Sequence, residues 1–278
     1  MSTPTSLELP AGVAATTIET SRGPFATHAI RVPDPVAHVL LIPGWTGSKE
    51  DFTPMLPLLA SVGFDATAYD QRGQFETPGA DDDDYSLSGY AADAASLARE
   101  CSTEPTHLLG HSFGGLVAQT AALESTTMWR TLSLLCTGPG ALGESSDRPL
   151  TQFARALGHI PLAEIHRFRE NGVKRLPDIG AFLERRFTSN SVASLKAMTE
   201  LLVHAPDLIS GLLDLRLPVW VGRGEDDDAW PHEAQAAMAQ QLGVDIHVVA
   251  NSAHSPAVEN PQGLADAWFP FLLEHRRD

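Results

Sequence analysis

Apolar positions along this chain follow two alternating rhythms. Short near-continuous runs, of which residues 37–42 (AHVLLI) are the clearest, suit strands buried on both faces of a parallel sheet. Between them lie longer amphipathic stretches of helical spacing. The first two runs, 15–20 and 25–32, are joined by the turn residues Ser21-Arg22-Gly23-Pro24 and predict an opening hairpin. Pro43-Gly44 ends the strand at 37–42, and a helix is expected over 49–62. Three further units follow: a strand at 65–69 with a helix at 87–100, a strand at 106–109 with a helix at 114–123, and a strand at 131–135 leading into Thr137-Gly138-Pro139-Gly140. Strict alternation predicts an α/β fold with a mostly parallel, doubly wound sheet.

From residue 141 to 212 the alternation stops. Helices are expected at 150–157, 162–170, 179–187 and 192–204, punctuated by Gly158, Pro161, Pro177 and Pro206. It resumes with a strand at 218–221, a helix at 232–242, a strand at 245–249 and a closing amphipathic helix at 263–275. The economical reading is a core domain of residues 1–140 and 213–278, with a helical cap inserted at 141–212.

Composition narrows the function. At 278 residues and 43% hydrophobic content the chain can bury one large core. A net charge of −16 would repel nucleic acid and anionic lipid surfaces alike. The insertion carries 9 basic and 8 acidic side chains, so the charge is concentrated elsewhere. That offset suits a solvated surface, or cap cations that face an anionic substrate. Cys101 and Cys136 lack the spacing of a disulfide framework or a zinc site and are expected as two buried, reduced thiols. The first twenty residues show no basic and apolar leader, and no stretch reaches the roughly 18 apolar residues of a membrane span, which makes a soluble cytoplasmic protein the expectation.

The most informative string is Thr106-His107-Leu108-Leu109-Gly110-His111-Ser112-Phe113-Gly114-Gly115. A bare Gly-x-Ser-x-Gly is a weak signal, but here a strand runs into it and a helix leaves it. Such a turn exposes its central hydroxyl, while the flanking glycines remove side chains that would collide. Ser112 could also be a plain helix N-cap. As a nucleophile it needs a histidine base and an orienting carboxylate farther along the chain. The strand at 218–221 runs into Gly222-Arg223-Gly224-Glu225-Asp226-Asp227-Asp228-Ala229-Trp230-Pro231, and the strand at 245–249 into Asn251-Ser252-Ala253-His254-Ser255-Pro256.

With these strings the sequence resembles the capped, esterase- and lipase-like group of α/β-hydrolase-fold serine hydrolases, over nearly its whole length. The family's Gly-x-x-Asp-x-x-x-Pro motif is similar to Gly224 through Pro231 and implies Asp227 as the triad acid, with Asp226 and Asp228 open by a one-residue slip. Ala253-His254-Ser255-Pro256 resembles the family's Gly-His-Ser-Pro-like ending and implies His254 as the general base.

One oxyanion donor would be the backbone N–H of Phe113, at the positive end of its helix. The second should follow the strand at 37–42, where the family has His-Gly-x-x and this chain has Pro43-Gly44-Trp45-Thr46-Gly47. Only a backbone N–H is needed there, so Trp45 can serve, with Thr46 as the alternative, and the indole would wall the acyl pocket or simply fill core. Tyr69-Asp70-Gln71-Arg72-Gly73 resembles the family's Asp-x-Arg-Gly turn, although Gln74-Phe75-Glu76-Thr77 departs from its second half. Asp70 and Arg72 are read as structural, fixing the loop beside the oxyanion hole by a charge-assisted contact.

Other patterns fail. Gly222-x-Gly224 lacks the third glycine of a dinucleotide fingerprint, Gly44 to Lys49 is too short for a phosphate loop, and Asp81 to Asp84 lacks the alternation of a calcium loop. The resemblance implies ester hydrolysis through an acyl-enzyme on Ser112, on a small-molecule substrate and with no metal or organic cofactor required. Amide, thioester and carbon–carbon hydrolysis and cofactor-free perhydrolysis fit the same triad, and a ligand receptor is the non-enzymatic alternative. Oligomeric state stays open.

Overall fold

Successive residues of a strand go to opposite faces of its sheet, and in this chain that alternation builds two cores. The computed structural model describes residues 2–143 and 149–276. Eight strands, β1 (Val13–Thr20), β2 (Gly23–Ile30), β3 (Ala37–Ile42), β4 (Phe64–Tyr69), β5 (Thr106–His111), β6 (Trp129–Leu135), β7 (Val219–Gly224) and β8 (Ile246–Val249), form one sheet in the order β1-β2-β4-β3-β5-β6-β7-β8. The two hairpin strands pair antiparallel and join β4 antiparallel, and from β4 to β8 every pairing is parallel. The α/β architecture is as the alternation predicts.

From β3, Leu40 and Ile42 enter the core beneath α2 (Leu87–Cys101) and α3 (Phe113–Glu124), while Val39 and Leu41 enter the core beneath α1 (Met55–Ser61) and α11 (Pro261–Glu274). The helix α9 (His232–Leu242) adds Met238 and Ala239 to the first core. Trp220 and Trp268 are fully buried in the second.

After β3 the chain goes to β4 on one side and then crosses to β5 on the other, with α1 and α2 on opposite faces. This reversal opens a crevice at the carboxyl ends of β3 and β5, where open α/β sheets bind ligands. Both sequence-predicted loops, at 43–47 and at Ser112, leave the sheet there.

Between β6 and β7 run α4 (Pro149–Ala156), α5 (Leu162–Arg169), α6 (Pro177–Thr188), α7 (Val192–His204) and α8 (Ile209–Leu213), with no strand of the sheet among the described residues. Residues 144–148 of the expected insertion lie outside those described. Phe153, Leu157, Ile165, Phe187 and Leu195 make a small core of their own, against which Trp45 packs. No helix of the described residues is long and apolar enough to cross a membrane.

Two expectations need correction, and two short helices have no counterpart among the expected ones. The helix at 49–62 is broken into a 3-10 turn at Lys49–Phe52 and α1, because Pro54 has no N–H to continue the ladder. The five-residue α8 and the four-residue α10 (Pro256–Glu259) are too short to show a period. Cys136 is buried, but Cys101, at the end of α2, is only half-buried, and both thiols are free.

Candidate active site

Ser112 joins β5 to α3 with φ +55° and ψ −120°, a conformation that a side-chain-bearing residue rarely adopts. Its N–H donates to Leu135 O at 2.9 Å and its carbonyl accepts from Gly115 N–H at 2.8 Å, so the strained turn is pinned on both sides. A Cβ at Gly110 would strike the Gly114 carbonyl, and one at Gly114 the carbonyls of Ile42 and Pro43, which is why this turn needs glycine at both positions. The Ser112 hydroxyl does not cap the helix it begins, and it makes no hydrogen bond among the described residues. It opens instead on a cavity of about 300 Å³ whose walls include His254, Trp45, Leu142 and Leu202.

Of the other two sequence-predicted residues, His254 lines this cavity and Asp227 contacts His254. Of the three consecutive aspartates only Asp227 is buried, and its Oδ1 lies 2.7 Å from His254 Nδ1. Asp226 and Asp228 are exposed. Burial pushes the Asp227 carboxyl up, but the hydrogen bond and charge of His254, the Ala229 N–H and the Gln235 amide together hold it below the usual carboxylate range. His254 and Ser112 share the cavity without a direct hydrogen bond.

Two side chains that the sequence did not single out complete the arrangement. Gln235, fully buried on α9, donates to Asp227 Oδ2 at 3.0 Å. His111 donates from Nε2 to the His254 carbonyl at 2.6 Å, and the two rings lie 4.9 Å apart. Burial, then the neighbouring His254 charge, pulls the His111 pKa to about 3, so the ring stays neutral with its proton on Nε2. Its place beside Ser112 in the motif was the available signal.

The loop after β3 packs directly on the turn at Ser112. A Cβ on Gly44 would stand 3.0 Å from Ser112 Cβ and 3.3 Å from His111 Nδ1. Gln71 donates to the Pro43 carbonyl at 2.9 Å and Gln74 to the Gly44 carbonyl at 3.1 Å, both from buried positions. The Gly44 C=O and the Trp45 N–H belong to one trans peptide and point opposite ways. Fixing the carbonyl toward Gln74 therefore aims the Trp45 N–H away from it. Neither that N–H nor the Phe113 N–H has a hydrogen-bond partner among the described residues. Thr46 follows with φ +57° and is fully buried.

Asp70 supports this loop as expected, accepting from the Lys49 N–H at 2.7 Å and from Lys49 Nζ at 3.0 Å. Arg72 does not: it turns to Asp93 on α2, with bonds of 2.8 and 2.7 Å. Asp51, four residues after Gly47, accepts from Arg186 Nη1 of α6 at 2.7 Å, and Arg186 Nη2 reaches the Ser2 carbonyl at 2.6 Å. Ser2 lines the Ser112 cavity and shares a 2.8 Å hydroxyl contact with Ser255. Trp45 donates to Thr199 on α7 at 3.1 Å and separates the Ser112 cavity from a second, apolar one of about 540 Å³ that it lines with Phe153, Ile165 and Phe168.

His111, Cys136 and His254 bring potential metal donors within 4.8 Å of one another. His111 Nε2 and His254 Nδ1 are already hydrogen-bonded, and burial pushes the Cys136 thiol up, away from the thiolate a metal needs. That donor set does not suit an ion. The arrangement does suit proton transfer between Ser112 and His254.

A family model described as "Alpha/beta hydrolase family" matches residues 39–267. The chain belongs to the alpha/beta hydrolase family. It is 30% identical over 171 residues to the 2-succinyl-6-hydroxy-2,4-cyclohexadiene-1-carboxylate synthase of Salmonella newport (strain SL254), covering 58% of this chain and 65% of that one. A protein of Variovorax paradoxus (strain S110) whose name, RutD, ascribes carbamate hydrolysis to it is 36% identical over 97 residues, 35% of this chain and 36% of the other. The chain thus spans between about a third and two thirds of the length of these curated relatives. Among solved structures, a carboxylesterase structure from Nitrososphaera gargenis superposes with TM-score 0.77 at 18% identity, covering 94% of this chain and 98% of that one. At these identities the solved structures share the fold.

Proposed function

We propose that the protein is a serine hydrolase that cleaves a carboxylic ester of a small or medium apolar molecule. The observation that carries this reading is the 2.7 Å hydrogen bond from His254 to Asp227, in which the histidine is a base that shares a cavity with the strained, uncapped Ser112. In the reaction, His254 Nε2 takes the Ser112 proton as the oxygen attacks the ester carbonyl, and Asp227 holds the ring with Nδ1–H toward itself. The tetrahedral oxyanion is held by the N–H groups of Phe113 and Trp45. His254 then returns the proton to the leaving alcohol, and the acyl group stays on Ser112. Water, deprotonated by His254, releases it as the acid. The chain's own groups supply every proton transfer in this cycle.

The helices of 141–212 serve as a cap in this reading. Leu142, Leu150 and Leu202 wall the Ser112 cavity, and Trp45 divides it from the apolar cavity of α4 and α5, which is large enough for an acyl or alcohol chain. The test is hydrolysis of p-nitrophenyl esters from acetate to a long-chain acyl, on the wild type and on Ser112→Ala. Release that vanishes in Ser112→Ala, with an optimum at intermediate chain length, is expected. Equal release from both proteins would refute the reading, and no release from folded wild type would move it to amide, thioester or carbon–carbon bonds.

A further inference from the structure

Arg169 ends α5 at the wall of the apolar cavity. Its guanidinium lies over the rings of Trp45, Phe153 and Phe187, at 5.5, 5.7 and 5.2 Å from their centroids. Its Nη1 is buried and has no hydrogen-bond partner among the described residues. Among the described residues no carboxylate stands within ion-pair distance of it. The adjacent Glu170 is engaged by Arg175, and Glu164, which lines the same cavity, does not pair with it. Arg186 stands in contrast, since that fully buried guanidinium is neutralised by Asp51, whereas half-buried Arg169 has no such partner among the described residues. Aromatic faces return part of the cost of burying a guanidinium, but a buried donor with no acceptor remains unfavourable. An anionic ligand would supply both the charge and the acceptor.

We infer that Arg169 recognises a carboxylate, so that the substrate is an ester with an apolar body and a free carboxylate remote from the scissile bond. This rests on the hydrolase reading of Ser112. The geometry follows from the two cavities, which share Trp45 and Leu150 as walls. An apolar chain in the larger cavity meets Arg169 at one side and passes Trp45 toward Ser112 on the other. One guanidinium with no acceptor among the described residues suits a monoanionic carboxylate. A dianionic phosphate would bring more negative charge than this single cation offsets beside Glu164. The arginine thus selects between substrates of similar shape by charge.

The test compares hexanoate with hexanamide, nearly equal in shape and different in charge, by calorimetric titration of the wild-type protein. Neither carries an ester, and repeating the titration on Ser112→Ala reads binding independently of any amide turnover. Hexanoate is expected to bind at least about tenfold more tightly, with the preference falling to about twofold or less in Arg169→Met and partly kept in Arg169→Lys. Equal binding of the two by wild type, binding of neither, or a preference that survives in Arg169→Met would overturn the assignment. The wild-type comparison decides even if Arg169→Met fails to fold. In turnover, the ratio of kcat/KM for the p-nitrophenyl monoester of adipic acid over p-nitrophenyl hexanoate is expected to fall about tenfold in Arg169→Met. A hexanoate preference without hydrolysis of either ester would sink the esterase reading and leave the anion site standing.

Discussion

Gln74 Nε2 donates to the Gly44 carbonyl across 3.1 Å, and by that bond a side chain after β4 helps to set the direction of the peptide that packs on Ser112. The Gly47 N–H donates to the same carbonyl at 3.0 Å, so loss of the amide removes one of the two bonds that hold the Gly44–Trp45 peptide and loosens its N–H. Gln74→Leu is expected to lower kcat about 10- to 100-fold with KM changed less than about threefold, the pattern of a lost transition-state contact. Steady-state kinetics on a p-nitrophenyl ester check it. A raised KM at unchanged kcat would make Gln74 a pocket-shaping residue only.

The acid is the sharpest discrimination among neighbours. Asp227→Asn should keep the fold but strand His254 in the wrong tautomer, with a loss of about 10³- to 10⁴-fold in kcat. Asp226→Asn and Asp228→Asn alter exposed carboxylates and should stay within about threefold of wild type. A crippled Asp226→Asn or Asp228→Asn with an active Asp227→Asn would move the acid by one residue.

Much of this arrangement is legible in the sequence, and the rest is hidden for definite reasons. Strands buried on both faces write continuous apolar runs, so β3 is read at its true bounds and the sheet from its repeats. The turn at Ser112 shows because sterics demand glycine at 110 and 114. Three consecutive aspartates look alike until the turn after β7 buries one and exposes two. Gln74, Gln235 and His111 reach the site by hydrogen bonds across 8 to 143 positions of the chain, and no local pattern encodes such a partner. Pro54 did carry a signal, since a proline inside the expected helix at 49–62 marks a break.

The contact of Arg186 with Asp51 ties α6 to the loop after β3, and both side chains are buried. Arg186→Met should cost about 3–5 kcal/mol, because it leaves a carboxylate buried without its partner. Pairing it with Asp51→Leu should recover most of the loss. Urea denaturation of the two single variants and the double variant measures the coupling, and additive losses would show that the pair does not act as a unit.

Acid should destabilise the fold well before its carboxylates are all protonated. Burial pulls the pKa values of His38, His107 and His111 to about 3, so these rings stay neutral in the folded protein while the unfolded chain takes up their protons near pH 6.5. The contribution is present above pH 6.5 and is lost as pH falls toward 3. Three protons correspond to a slope of up to about 4 kcal/mol per pH unit from these groups. His107→Gln should lower the slope between pH 6 and 4 by about 1.4 kcal/mol per unit relative to wild type, measured by urea denaturation across a pH series. An unchanged slope would mean that His107 takes up its proton in the folded state.

The central claim is that Ser112 becomes acylated with His254 as its base. A fluorophosphonate probe followed by peptide mass spectrometry tests it most directly. One adduct per chain is expected, on the peptide that carries Ser112, formed at least about a hundredfold more slowly in His254→Ala and absent in Ser112→Ala. Labelling at another residue, or an active enzyme that takes no label at Ser112, would contradict it.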